Sequence, residues 1–223
     1  MSYLGISIFI ITQINTTLSM KKIIATLFIL CMNYSGFSQS KKELDSLKVT
    51  LETLFMKDQT FRKIYSDAEK VLGKDSDAYE YFWEVVENQD KVLEQEVIQI
   101  LDRYGWLGIS QVGRLANTAQ WAILQHGSVA SKKKYAPLLK KSVQQQESQP
   151  GHYARLIDRM LVNSDKPQKY GTQIDYNSAE SPIFFPVEAP EYINQRRKEI
   201  GLGDIQSFAN QRGITWEVVQ KEK

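Results

Sequence analysis

A helical spacing of apolar residues runs from Leu44 to Leu161 and then stops, and it constrains this chain more than any other feature. Leu44, Leu47, Leu51, Leu54 and Phe55 fall on one helix face. Tyr79, Phe82, Trp83 and Val86, followed by Leu93, Val97, Ile100 and Leu101, make a second stripe, and Gly105 is placed to end it. Ser110 is the expected N-cap of a third helix, whose stripe carries Val112, Leu115, Ala116, Ala119, Ala122, Ile123 and His126 before Gly127. Tyr135, Leu138, Leu139 and Val143 predict a shorter helix, with Pro137 near its first turn or kinking it. Tyr153, Leu156, Ile157, Met160 and Leu161 predict one more, closed by the turn Asp165-Lys166-Pro167.

Beyond that turn the period changes. Lys169–Ile174 and Ile183–Val187 read as extended, joined by the polar loop Asp175–Ser181, with Pro182 and Pro186 confining the second to an edge. Residues 188–200 return to helix and end at Gly201; Asp204 caps a last short helix reaching Gly213. The expected class is mainly α: an irregular helical bundle with a small two-stranded β-hairpin near the C-terminal third.

Residues 1–38 read as an address. Met20-Lys21-Lys22 opens a basic segment, Ile23–Met32 is an apolar run, Ser35-Gly36-Phe37-Ser38 supplies small residues, and Gln39-Ser40-Lys41-Lys42 turns polar. That order predicts a secretory signal peptide cut after Ser38, with Met20 as the start and residues 1–19 as an upstream extension. The apolar run is shorter than the ~20 residues a membrane span needs. The competing reading is an N-terminal anchor over Tyr3–Met32, interrupted by Gln13, Asn15, Thr16 and Thr17. The expectation is an exported protein, periplasmic or secreted, with no stable membrane span in its mature chain.

Cys31, the single cysteine, lies inside the leader, so the mature chain has no disulfide and no thiol nucleophile. The chain has 28 Lys+Arg and 26 Asp+Glu, and the leader holds Lys21 and Lys22 with no acid. The mature part is neutral, which argues against nucleic-acid binding, since that needs a basic face. Lys132-Lys133-Lys134 and Lys140-Lys141 read as a solvated helix face. Residues 39–100 supply N-terminal helices and 101–213 a second helical region with the hairpin, packed together as one domain.

Against this apolar background one polar series stands out: Gln125-His126, Asp158-Arg159 and Gln168-Lys169-Tyr170-Gly171-Thr172-Gln173. Such groups are costly to bury unless they bond each other or a ligand. His126 closes an apolar stripe, as a general acid or base, or as a core histidine bonded to a carbonyl or to Asp158. Asp158 orients His126 in the first case; in the other it pairs with Arg155 three residues earlier. In a strand, Gln168, Tyr170 and Thr172 share one face, and Gly171 admits a close approach. Arg196 and Arg197 point roughly 100° apart on a helix, so one turns inward. The histidines His126 and His152 are a helix apart, and no phosphate loop or serine elbow is present, so the sequence offers no metal or cofactor site.

Gly105-Trp106, Gln111-Val112-Gly113, Trp121, Gln125-His126, Asp158-Arg159, Pro167-Gln168, Tyr170-Gly171-Thr172-Gln173 and Arg196-Arg197-Lys198-Glu199-Ile200-Gly201-Leu202 come in an order and spacing that resembles a bacterial domain-of-unknown-function family, number 6624, over about Leu101–Phe208. The resemblance implies no activity, substrate or cofactor. Members of that family read Gln-His-Ala-Asp where this chain has Gln125-His126-Gly127-Ser128. Two functions stay open. In the first, a small hydrolase or transferase, His126 and Asp158 are catalytic, and Gln125, Gln168, Tyr170, Thr172, Gln173, Arg159 and Arg197 hold a ligand in a hollow shared with His126. In the second, a non-catalytic module for a small ligand or a protein, the same residues form a structural network.

Overall fold

Helices form almost everywhere the sequence carries a helical period. The computed structural model describes residues 40–176 and 182–221. The leader and most of the loop between the hairpin strands lie outside them, and so does the expected cleavage after Ser38. The chain divides into two compact units, Met1–Glu43 and Leu44–Lys223. The second holds the core and both strands.

The protein is mainly α-helical with a small two-stranded antiparallel sheet. Helix α1 (Lys41–Leu72) and α2 (Asp77–Tyr104) are long, and Ser76 caps α2 by accepting from the Tyr79 N–H. Next come α3 (Ile109–His126), α4 (Val129–Gln144) and α5 (Pro150–Val162). After β1 (Ile174–Asp175) and β2 (Ile183–Phe184), a 3₁₀ turn (Pro190–Tyr192) leads into α6 (Ile193–Glu199), and α7 (Ile205–Asn210) follows. Helix α5 packs on α4 and α3, and α3 packs on α2. Leu51, Leu54, Leu93, Val97, Leu107, Ala116, Ala119, Leu124, Leu139 and Leu156 form the centre of the core. Among the described residues no helix is long and apolar enough to cross a membrane.

Four details depart from the expectation. The N-cap of α3 is Gly108, not Ser110: the Gln111 side chain accepts the Gly108 N–H at 2.8 Å, while Ser110 N–H goes to the Glu147 carboxylate at 2.8 Å. An amide reaching back from the first turn replaces the hydroxyl cap. Helix α3 is also broken at Gly113 (φ 82°, ψ 169°), a conformation that glycine alone adopts without strain. Each strand is two residues long, registered Ile174 with Phe184 and Asp175 with Ile183. Side-chain bonds hold residues 169–172 instead of a ladder, and the Gln173 carbonyl accepts the Phe185 N–H at 3.3 Å. Lastly, Lys132 is not solvated: it is 2 % exposed, and its ammonium donates to the Gly127 carbonyl.

Buried amides that the sequence pattern does not reveal shape the turn between α2 and α3. Gln120 accepts the Leu107 N–H at 3.0 Å, and the Gln120 and Asn117 amides both donate to the Leu107 carbonyl. Asn117 also donates to Ser148 Oγ at 2.9 Å, and the Trp106 indole reaches the same hydroxyl at 3.0 Å. This satisfied network pins the turn to α4 and α5.

Candidate functional site

Asp158 sits on the inner face of α5 and is fully buried. It does not touch His126. Its carboxylate accepts from the N–H groups of Lys169 (2.8 Å), Tyr170 (3.0 Å) and Thr172 (2.9 Å) and from Thr172 Oγ1 (2.8 Å). A helix carboxylate thus stands in for the strand partner that residues 169–172 lack. Burial pushes the Asp158 carboxyl above its usual value, and the four donors recover only part of that cost. The turn it wraps contains Gly171 at φ 66°, where an added Cβ would lie 2.8 Å from Ile205 Cδ1 and 2.9 Å from Ile193 Cδ1. Gly171→Ala is expected to cost about 2 kcal/mol, from left-handed backbone strain plus overpacking, as read by urea denaturation.

The neighbours of that turn are turned inward. Gln168 is fully buried; its amide donates to the carbonyls of Gln173 (2.9 Å) and Phe185 (2.8 Å) and accepts from the Gln173 N–H (2.9 Å). Arg197, 3 % exposed, donates to the carbonyls of Gly203 (2.6 Å) and Tyr170 (2.6 Å). Burial lowers the Arg197 guanidinium to about 10, with Asp158 and Asp204 opposing the shift. The Tyr170 hydroxyl is buried against Tyr153, and burial pushes its pKa upward. Gln168, Tyr170 and Arg197, expected to hold a ligand, therefore build the scaffold under the site.

Thr172, its hydroxyl on Asp158, and the buried Gln173 border open space as well. With Gln125 and Trp121 from α3, Arg155 and Arg159 from α5, and Phe208 and Arg212 from the C-terminal segment, they line a hollow of about 400 Å³. Among the described residues no acidic side chain lines it. Arg155 and Arg159 stand one turn apart on α5 and have no hydrogen-bond or carboxylate partner among the described residues. Arg212 donates to the Phe208 carbonyl at 2.9 Å and keeps its remaining donors. Burial lowers the Arg155 guanidinium, and the positive charge of Arg212 lowers it further. Desolvated cations that repel one another mark a place prepared for negative charge. The amide oxygen of Gln125 and the indole N–H of Trp121 are also buried without partners.

His126 faces elsewhere. It follows Gln125 directly, so their side chains diverge by roughly 100° around α3. Its Nδ1 lies 2.9 Å from Asp58 Oδ1, on α1. A carboxylate there accepts the Nδ1 proton and leaves Nε2 for a second hollow, of about 360 Å³, lined by Glu87, Asp90, Lys91, Glu94, Gly127 and Ser128. Asp58 is 3 % exposed. Burial pushes its carboxyl up, but the His126 bond and charge, with Gln59 and Arg62, outweigh burial and hold it below the usual value. The role assigned to Asp158 is thus filled by Asp58. His126 and Gln173 belong to different hollows.

Asp58, Asp90 and His126 form a trio whose ligand atoms lie within 4.8 Å of one another. They can offer a metal a ligand set that the sequence does not reveal, because each comes from a different helix. Arg62 competes for it: its guanidinium lies 2.6 Å from Asp90 and 3.4 Å from Asp58.

The sequence matches a family of unknown function, DUF6624, over residues 47–213. The chain belongs to that family. The match reaches well before Leu101 and takes in most of α1 and all of α2, so Asp58 and both hollows lie within the family region. No curated protein and no solved structure matches the chain.

Proposed function

We propose that this DUF6624 protein is a ligand-binding domain whose hollow between α3, α5 and the C-terminal segment holds a small anion. One observation carries this: Arg155, Arg159 and Arg212 line one hollow, and among the described residues no carboxylate lines it with them. Unpaired cations next to each other raise the free energy of the empty protein, and an anion relieves that repulsion while gaining charge-assisted bonds. Gln125, Thr172 and Gln173 add polar groups at the same wall. The binding reading stands ahead of the enzymatic one, because the histidine expected to move the proton opens onto another hollow.

The test is thermal melting in phosphate against chloride at matched ionic strength. Phosphate should raise the wild-type Tm by several degrees and leave Arg155→Gln unmoved, since bound ligand stabilises in proportion to its occupancy. Equal melting in the two salts refutes the proposal.

A second reading rests on the Asp58–His126 contact. Asp58 fixes the ring so that Nε2 accepts a proton from a water or hydroxyl bound beside Asp90 and Glu94. It requires that a chromogenic acetate ester be hydrolysed by the wild type and not by His126→Gln at unchanged Tm; equal rates end it.

Export remains part of the proposal, supported by the order of basic, apolar and small residues over Met20–Ser38. N-terminal sequencing of protein recovered outside the cytoplasm should read Gln39-Ser40-Lys41; an intact leader would contradict it.

A further inference from the structure

The aromatic rings around the arginine hollow are already occupied. The Trp121 ring stacks on His152 with centroids 4.2 Å apart and planes 3° from parallel. Arg155 lies 5.8 Å from the same ring centre. Phe208 has Arg212 at 3.5 Å and Arg197 at 4.8 Å from its centre. Phe184, which packs on Phe208 at 6.4 Å, is engaged by Trp216 at 5.4 Å. Tyr176 is the other lining ring, and at 65 % exposed it stands mostly in solvent. Among the described residues the walls therefore present guanidinium and amide edges to a ligand, and no sheltered ring face.

The charge count points the same way. Three cations meet in about 400 Å³, and no acid among the described lining residues offsets them. A monoanion would neutralise only one of the three. Burial lowers the nearby Lys132 ammonium, and the Arg159 charge adds to that shift while Glu94 opposes it. The volume lies at the small end of ligand sites, which run from about 300 to 1,000 Å³.

We propose that the ligand is a compact anion bearing at least two negative charges, a polyphosphate or polycarboxylate, held through its charged edges and not by stacking. A nucleobase or other aromatic group attached to it contributes nothing to affinity. This rests on the anion-binding reading above and adds to it the class of ligand.

Calorimetric titration of the full chain at low salt tests it with matched probes. Inorganic pyrophosphate or citrate should bind at least about tenfold tighter than inorganic phosphate, because each added charge meets another unpaired guanidinium. Ribose 5-phosphate and adenosine monophosphate share the phosphate and the sugar and differ at C1, hydroxyl against base, and their affinities should agree within about twofold. A gain of about tenfold for the adenosine compound, removed by Tyr176→Ala, would overturn the proposal in favour of stacking. So would pyrophosphate and citrate binding no tighter than phosphate. Should none of these anions bind, the underlying anion-binding reading fails first, and this inference with it.

Discussion

Asp158→Ala is expected to lower the unfolding free energy by about 3–5 kcal/mol, more than any other single substitution around the arginine hollow. The substitution deletes an acceptor that four donors share and takes the partner from the buried Tyr170 N–H and from the partly buried N–H groups of Lys169 and Thr172. Each orphaned donor costs about 1–3 kcal/mol, tempered by local relaxation and water entry. Arg197 loses a compensating negative charge in the same step. In a domain of this size the change should lower Tm by about 10 °C. Asp158→Asn keeps the volume and one acceptor oxygen, so it should cost roughly half as much. Because the turn carries Thr172 and Gln173, phosphate stabilisation should fall in both variants. Urea denaturation of the three proteins gives the ordering; a loss below about 1 kcal/mol for Asp158→Ala would show that the turn holds itself.

Between pH 6.5 and 4 the wild type should lose about 3 kcal/mol of stability through His152 alone. This ring is 5 % exposed, stacked under Trp121, and its Nδ1 has no partner. Burial, then the charge of Arg155, lowers its pKa from 6.5 to about 4. The unfolded chain thus binds a proton at about pH 6.5 while the folded protein resists it until about pH 4. The stability owed to the neutral ring is complete above the unfolded value and drains away as pH falls through this window. His152→Phe keeps a flat ring against Trp121 and removes the proton, so its stability should vary less over that range by about the same 3 kcal/mol. Asp58 does not confuse the comparison: its folded pKa lies below the ordinary 3.8, so its contribution is lost only at lower pH. Parallel stability curves for the wild type and His152→Phe between pH 6.5 and 4 would contradict the account.

How much of the fold and the site is legible in the sequence depends on the range of the interaction. The stripes from Leu44 to Leu161 are readable because burial on a helix imposes its period on the sequence. Gly105, Gly127 and Asp204 mark helix ends for equally local reasons. Of the arginine pair expected to split between inside and outside, Arg197 is the buried member. The partner of His126 is beyond reach: Asp58 lies 68 residues upstream, on a helix whose acids look alike from their spacing. Lys132 sits in a run of three lysines, and nothing in the run distinguishes the one that tucks under Gly127. Asp158 reads as a partner of His126 or Arg155 because its true donors arrive 11 to 14 residues later, from a segment whose backbone lacks a ladder. The arginine hollow is half visible. Gln125, Arg159, Thr172 and Gln173 stand out in the polar series, but Arg155 reads as a partner for Asp158. Arg212 carries no local signal, since only the folded C-terminal segment brings it to α5.

The most direct measurement is the anomalous diffraction of crystals soaked in selenate, an anion whose position the selenium reveals. The account predicts one strong peak in the hollow between α3, α5 and the C-terminal segment, within hydrogen-bond distance of at least two of Arg155, Arg159 and Arg212, and its loss in Arg155→Gln. An empty hollow with selenate bound only at exposed lysines would contradict it.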